Sequence, residues 1–220
     1  MTHTHTLADP RIETALSRMF ERAEQDEVTA ARVSAQLPGG FTTLTPQERA
    51  DTVAEVYMPI SARGGELLYN LVRAARPATV VEFGMSFGIS TLYLAAAVRD
   101  NGAGRVITTE LSKDKIAATR RTFAETGLDD LITVLEGDAR DTLRGLDDPA
   151  DFVLLDGWKE LCLPVLRLLE PRLRPGTLVV ADDVGLSGLR PYLDYVRDPA
   201  NGYQSVTFPV EDGMEISCRL

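Results

Sequence analysis

The stretch Thr79-Val-Val-Glu82-Phe-Gly84-Met-Ser-Phe-Gly88-Ile-Ser-Thr91 decides how the chain is read. Val80 and Val81 make an apolar β-branched run that meets an acid, Glu82, and then two glycines four positions apart, before a helical pattern begins at Ile89. That order describes a strand, a tight turn and a helix N-terminus. Gly84 lets the backbone turn sharply and lets a ligand approach the main chain, while Gly88 allows a helix to pack closely on the sheet. The spacing is not the dinucleotide Gly-x-Gly-x-x-Gly, and no Gly-Lys-Ser/Thr follows for a triphosphate. A purely structural turn in an unrelated α/β protein would use the same residues, so the flanking chain has to discriminate.

Downstream, strands and helices alternate with short connections, which implies a parallel sheet covered by helices on both faces. Strands are expected at 79–83, 105–109, 131–135, 151–155 and 177–181, followed by a hairpin of 204–210 and 214–219 around Glu211-Asp212-Gly213. The expected fold is a seven-stranded, mostly parallel, doubly wound α/β sheet with the last strand antiparallel. Upstream, Asp9-Pro10 caps a helix with apolar residues Ile12, Ala15, Leu16, Met19 and Phe20, and a weaker pattern runs on to about Ala35. Leu37-Pro38-Gly39-Gly40 breaks it. Thr45-Pro46-Gln47-Glu48 is a capping box opening a helix to about Tyr57, Met58-Pro59 stops that helix, and Ser61 caps another through Ala75. We expect one domain, a catalytic core of 58–220 carrying an N-terminal helical extension of 1–57 that serves as packing, as a wall of the acceptor pocket or as a homodimer contact.

A net charge of −10 argues against a nucleic-acid groove, which needs clustered Lys and Arg to replace counterions. No apolar run approaches the roughly 20 residues of a membrane span, and the first residues lack a signal peptide's basic and apolar regions, so a cytoplasmic location is expected. Cys162 and Cys218 are too few for a disulfide framework. His3 and His5, the only histidines, sit in a polar tail, so a catalytic base has to be another residue type.

Several acids stand where a parallel sheet presents ligands. Glu110 ends the second strand, where a carboxylate accepts hydrogen bonds from two ribose hydroxyls. Asp138, in Gly137-Asp138-Ala139 after the third strand, is placed to meet an adenine edge. Asp156 follows the fourth strand, and Asp182 and Asp183 follow the fifth. Adjacent strands lie about 4.8 Å apart, so these acids converge, and three carboxylates at one point repel unless a hard divalent cation joins them. Each acid alone would serve equally as a helix cap.

With these motifs in place, Glu82-x-Gly84-x-x-x-Gly88 resembles the first motif of class I S-adenosylmethionine-dependent methyltransferases. Asp156-x-Trp158-Lys159 and Ala181-Asp182-Asp183-Val184 are similar to motifs of the catechol and caffeoyl-coenzyme A O-methyltransferases, over a span from about Met58 to the C-terminus. The resemblance implies Asp156, Asp182 and Asp183 as ligands of a divalent metal, magnesium first with manganese or calcium as alternatives, and Lys159 as general base. It implies a cofactor site of Ile60, Glu82, Gly84, Met85, Ser86, Ser90, Glu110, Asp138, Ala139, Asp156 and Trp158, and a small-molecule hydroxyl acceptor such as a catechol or another vicinal diol. Two departures stand out: the family usually carries Asn where this chain has Asp183, although Asp-Asp occurs in related sugar O-methyltransferases, and Val206 or a neighbour stands where the catechol enzymes use a glutamate. A metal-independent N- or C-methyltransferase and a non-catalytic cofactor-binding module remain as alternatives.

Overall fold

The computed structural model describes residues 5–35, 37 and 41–220. Five parallel strands form from the apolar runs: β1 (Thr79–Phe83), β2 (Arg105–Glu110), β3 (Ile132–Glu136), β4 (Ala150–Leu155) and β5 (Leu173–Ala181). The terminal hairpin adds β6 (Tyr203–Phe208) and β7 (Met214–Arg219), giving the order β3-β2-β1-β4-β5-β7-β6 with β7 antiparallel to both neighbours. Ahead of β1 come α1 (Pro10–Ala23), α2 (Asp26–Ser34), α3 (Pro46–Thr52) and α4 (Ala62–Ala75). The crossovers carry α5 (Ile89–Asn101), α6 (Lys113–Thr126), α7 (Ala139–Thr142), α8 (Cys162–Leu169) and α9 (Arg190–Arg197).

Strand alternation divides the core in two. Val80, Phe152, Leu154 and Val180 face one layer, built from α1, α4, α5 and α6, while Val81, Val153, Leu155 and Val179 face the other, built from α7, α8 and α9. The register then levels the strand ends: Phe83 pairs with Thr109 and Leu155, Thr109 with Leu135, and Leu155 with Ala181. The residues leaving these strands, among them Gly84, Glu110, Asp156 and Asp182, therefore emerge along one edge of the sheet, where open α/β sheets bind ligands.

Several boundaries differ from expectation, each for a local reason. α3 stops at Thr52 instead of continuing to Tyr57, where the Asp26 carboxylate accepts the Tyr57 and Met58 N–H groups at 2.8 and 2.7 Å and holds that segment out of the helix. The weaker pattern after α1 is a separate helix, α2. β3 starts at Ile132 because Leu131 closes a 3₁₀ turn onto Leu128. β6 stops at Phe208, not Val210, whose N–H turns back to Phe208 O at 2.9 Å. Pro38, Gly39 and Gly40 of the expected breaker, and His3, lie outside the described residues.

The N-terminal extension is tied to the core. Thr6 donates its N–H and hydroxyl to Asp100 of α5 at 3.0 and 2.5 Å, so the polar tail is pinned from that point on. Asp9 caps α1 by accepting from Arg11 N, and Ile12, Leu16 and Met19 are buried against α5 and α6. Each of these three side chains contributes about 1.5–3 kcal/mol by burial, which makes α1 part of the first layer.

Candidate active site

Gly84 adopts φ +96°, and a Cβ there would lie 2.5 Å from Gly157 N, so the close approach it permits is to the turn after β4. Gly88 caps α5 at φ +85°, and its Cβ would meet Thr119 and Phe123 of α6 within 2.9 Å. Gly88 thus serves helix-on-helix packing, where helix-on-sheet packing was expected. Met85 and Ser86 between them, and Ser90 in the first turn of α5, reach the wall of a cavity of about 350 Å³, joined by Ile60 from the segment before α4.

Glu82 does not reach that cavity. Its carboxylate is fully buried beneath the turn and accepts hydroxyl hydrogen bonds from Ser90, Thr91 and Thr108 at 2.6, 2.5 and 2.5 Å. It is a post under the glycine turn, a correction to the cofactor contact the motif implies, and it also engages the Ser90 hydroxyl hydrogen. Burial, assisted by the charge of Asp156 and opposed by the three hydroxyls, pushes the carboxyl from 4.5 up to about 7. Between those values the unfolded chain ionises first, so this group makes stability fall as pH rises and has no further effect above about 7. Glu82→Gln is expected to flatten that fall by about 3 kcal/mol at full extent, read by urea unfolding at pH 5 and 7.5. An unchanged slope would show that Glu82 ionises normally.

Glu110 organises the neighbouring wall. One of its oxygens accepts the Ser86 N–H at 2.8 Å and the other accepts the Leu111 and Ser112 N–H groups at 2.8 Å each, so the carboxylate fixes both the glycine turn and the start of α6. Asp138 and Ala139 line the same cavity. Asp138 caps α7 through Arg140 N and pairs with the Arg140 side chain, which holds its carboxyl below the usual range. Trp158 lines this cavity too, its Nε1 donating to Pro46 O at 3.2 Å, its ring edge-on to Phe41 and covered by the Arg49 guanidinium at 4.8 Å. Arg49 is held in turn by Glu160. The helix α3 therefore builds the outer face of this wall.

At the β4 and β5 ends, carboxylate oxygens of Asp156, Asp182 and Asp183 lie within 4.8 Å of one another. Lys159 places Nζ 2.7 Å from Asp156 Oδ1 and 2.9 Å from Asp183 Oδ2. Burial opposes its charge, but the two carboxylates outweigh burial and raise its pKa. Asp182 forms no ion pair among the described residues: burial first, then the charges of Asp156 and Asp183, push it up to about 7 against the weaker pull of Lys159. Three acids against one ammonium leave a surplus of negative charge on hard oxygen donors, which suits a divalent cation of the magnesium, manganese or calcium type. Asp156, Lys159 and Asp183 also line the cavity, whereas Asp182 sits just behind it.

Residues 81–184 match a family model described as a methyltransferase domain. Catechol O-methyltransferase B of Danio rerio is 32% identical over 74% of this chain and 66% of its own length, and catechol O-methyltransferase of Sus scrofa is 32% identical over 64% of this chain and 78% of its own. The chain belongs to the class I O-methyltransferases of the catechol type. It spans about half to two thirds of the length of several curated catechol O-methyltransferases that it matches. An O-methyltransferase from Bacillus cereus, solved in complex with SAH, shares the fold at a TM-score of 0.67 and 21% identity over 92% of this chain and all of that one.

For a catechol-type O-methyltransferase, this chain also brings residues to the cavity that its motifs do not name. Tyr57 stacks on Phe87 at 4.0 Å between ring centroids, and the Ser86 hydroxyl donates to Tyr57 O at 2.6 Å. Lys115, 2% exposed, reaches the wall from α6. Its sequence signal is a lysine in register with Thr119 and Phe123 on the inward face of an amphipathic helix.

Proposed function

We propose that the protein transfers the methyl group of S-adenosylmethionine to a hydroxyl of a small molecule bearing two adjacent oxygens, in the manner of a catechol or another vicinal diol, with a divalent cation. The observation that carries this reading is the cluster of Asp156, Asp182 and Asp183, two of them paired with Lys159, at the cavity that Glu110 and Trp158 border. A divalent cation held by Asp156, Asp182 and Asp183 would lower the pKa of a hydroxyl bound to it.

The chain's own groups do the rest. Glu110 would hold the ribose hydroxyls while Trp158 and Ala139 enclose the adenine, and the fixed turn around Gly84 sets the methionine arm. Holding two reactants in line is worth roughly 7–11 kcal/mol of barrier. Lys159 Nζ takes the acceptor's proton once its ammonium has given one up. The carboxylates that keep it protonated are those that would hold the cation, so the two positive charges compete for one set of oxygens.

The test is conversion of S-adenosylmethionine to S-adenosylhomocysteine with catechols, hydroxycinnamates and hydroxylated sugars, with and without a strong chelator. Turnover of a diol that stops with chelator supports the reading; turnover that persists supports metal-independent methylation, which the pairing of Lys159 with Asp156 and Asp183 favours as second reading. No methyl transfer to any acceptor points to a binding module. Among the described residues no helix is long and apolar enough to cross a membrane.

Glu110 gives a separate check. Glu110→Gln is expected to raise the dissociation constant of S-adenosylhomocysteine by about 10–100-fold, because hydrogen bonds to a charged acceptor are worth roughly 1.5–3 kcal/mol. It should also lower the melting temperature, since the carboxylate anchors three backbone N–H groups. Calorimetry that finds the affinity unchanged removes Glu110 from the ribose site.

A further inference from the structure

An ammonium taken out of water needs hydrogen-bond acceptors for its three protons. Lys115 Nζ makes one hydrogen bond among the described residues, to Ser86 Oγ at 3.0 Å, and that hydroxyl directs its own hydrogen to Tyr57 O. The Phe87 ring lies 5.3 Å from Nζ. The charged groups facing it are Glu110 from the end of β2 and Asp26 from α2. Both carboxylates accept backbone N–H groups, Glu110 from Ser86, Leu111 and Ser112 and Asp26 from Tyr57 and Met58, and among the described residues neither forms an ion pair with Lys115. Two protons of a 2% exposed lysine on the cavity wall are therefore left for a ligand.

A second positive feature borders the same turn. The first residues of α5, Ile89 and Ser90, line the cavity, and the helix has neither a side-chain cap nor an acid in its first turn. Its leading N–H groups have no intrahelical acceptors and carry the positive end of a 13-residue helix dipole. The other lysine on this wall, Lys159, is taken by Asp156 and Asp183. The anion to be accommodated is thus one that ends beside the glycine turn.

We propose that Lys115 is a positioning residue that receives the carboxylate of the methionine arm of S-adenosylmethionine, together with the leading N–H groups of α5. The assignment rests on the cofactor reading above and adds to it the group that orients the arm. Desolvation lowers the Lys115 pKa to about 8 against the pull of Glu110 and Asp26, and a carboxylate placed on it would restore the charged form, so cofactor binding near pH 8 takes up a proton.

Titration calorimetry with S-adenosylmethionine and its decarboxylated analogue tests this on wild type, Lys115→Met and Lys115→Arg. Lys115→Met is expected to weaken S-adenosylmethionine by about 10–100-fold and to leave the decarboxylated analogue within about twofold, while Lys115→Arg keeps most of the affinity. In buffers of different ionisation enthalpy at pH 8, wild type should take up protons with S-adenosylmethionine, and Lys115→Met should not. Equal weakening of both ligands by Lys115→Met would mean that Lys115 only braces the Ser86 turn, and no weakening of either would mean that it makes no contact; both outcomes overturn the assignment and leave the cofactor reading standing. Wild type that binds neither ligand overturns the cofactor reading and this one with it. Methionine keeps the stem and removes a buried charge, so a folded variant is expected. Should it fail to fold, the wild type decides: a carboxylate preference under about threefold, without proton uptake, overturns the assignment.

Discussion

Lys159→Met is expected to lower kcat by about 10²–10⁴, the usual contribution of a positioned general base, while the affinity for S-adenosylhomocysteine stays near wild type. Methionine preserves the unbranched stem, so the packing of a side chain that is only 12% exposed is retained. What disappears is the ammonium between Asp156 and Asp183. Removing one partner of a buried pair leaves uncompensated charge and costs roughly 3–5 kcal/mol. The variant should therefore melt at lower temperature in chelator and recover when magnesium is added, with magnesium binding as tightly as in wild type or more so. A wild-type kcat at neutral pH would show that the acceptor loses its proton to something other than Lys159. Loss of cofactor affinity in parallel with kcat would instead show that the lysine holds the whole corner together.

The strand ends were legible because their chemistry restricts residue type. Two glycines after Val80-Val81, Glu110 at the end of β2 and the acids after β4 and β5 occupy positions that parallel strands bring to one edge whatever the helices do. The strands were legible too, since burial on both faces demands near-continuous apolar runs. That double burial also hid the direction of Glu82: in a strand buried at all five positions, hydrophobic alternation does not reveal which side a carboxylate takes. The end of α3 depends on Asp26, whose side chain captures the Tyr57 and Met58 N–H groups from another helix. Nothing local marks such a partner. Lys115 was missed for a different reason. A lysine near a helix start reads as a solvated charge, and only the register with Thr119 and Phe123 turns it inward.

Asp183 is one of the two positions at which this chain departs from the pattern its resemblance implies, and its backbone makes the substitution series informative. It adopts φ +60°, a left-handed conformation that Asp and Asn tolerate and that costs alanine roughly 1–2 kcal/mol. Three carboxylates around a divalent cation leave a formal charge of −1, whereas two carboxylates and an amide leave zero, so the native site should hold the cation more tightly and oppose an anionic acceptor oxygen more strongly. Asp183→Asn keeps the backbone and an oxygen donor. It is expected to weaken magnesium or manganese binding by roughly tenfold, with activity preserved at saturating metal. Asp183→Ala removes the ligand, one partner of Lys159 and the backbone preference together. Its metal affinity should fall by at least the roughly 100-fold that marks the upper range for loss of a mere supporting partner, and its activity should not recover at saturating metal. Titrating the metal into the S-adenosylhomocysteine complex of each protein ranks the three dissociation constants. Equal constants would leave Asp183 as a partner of Lys159 alone and reduce the cation site to Asp156 and Asp182, too few carboxylates to force a divalent ion.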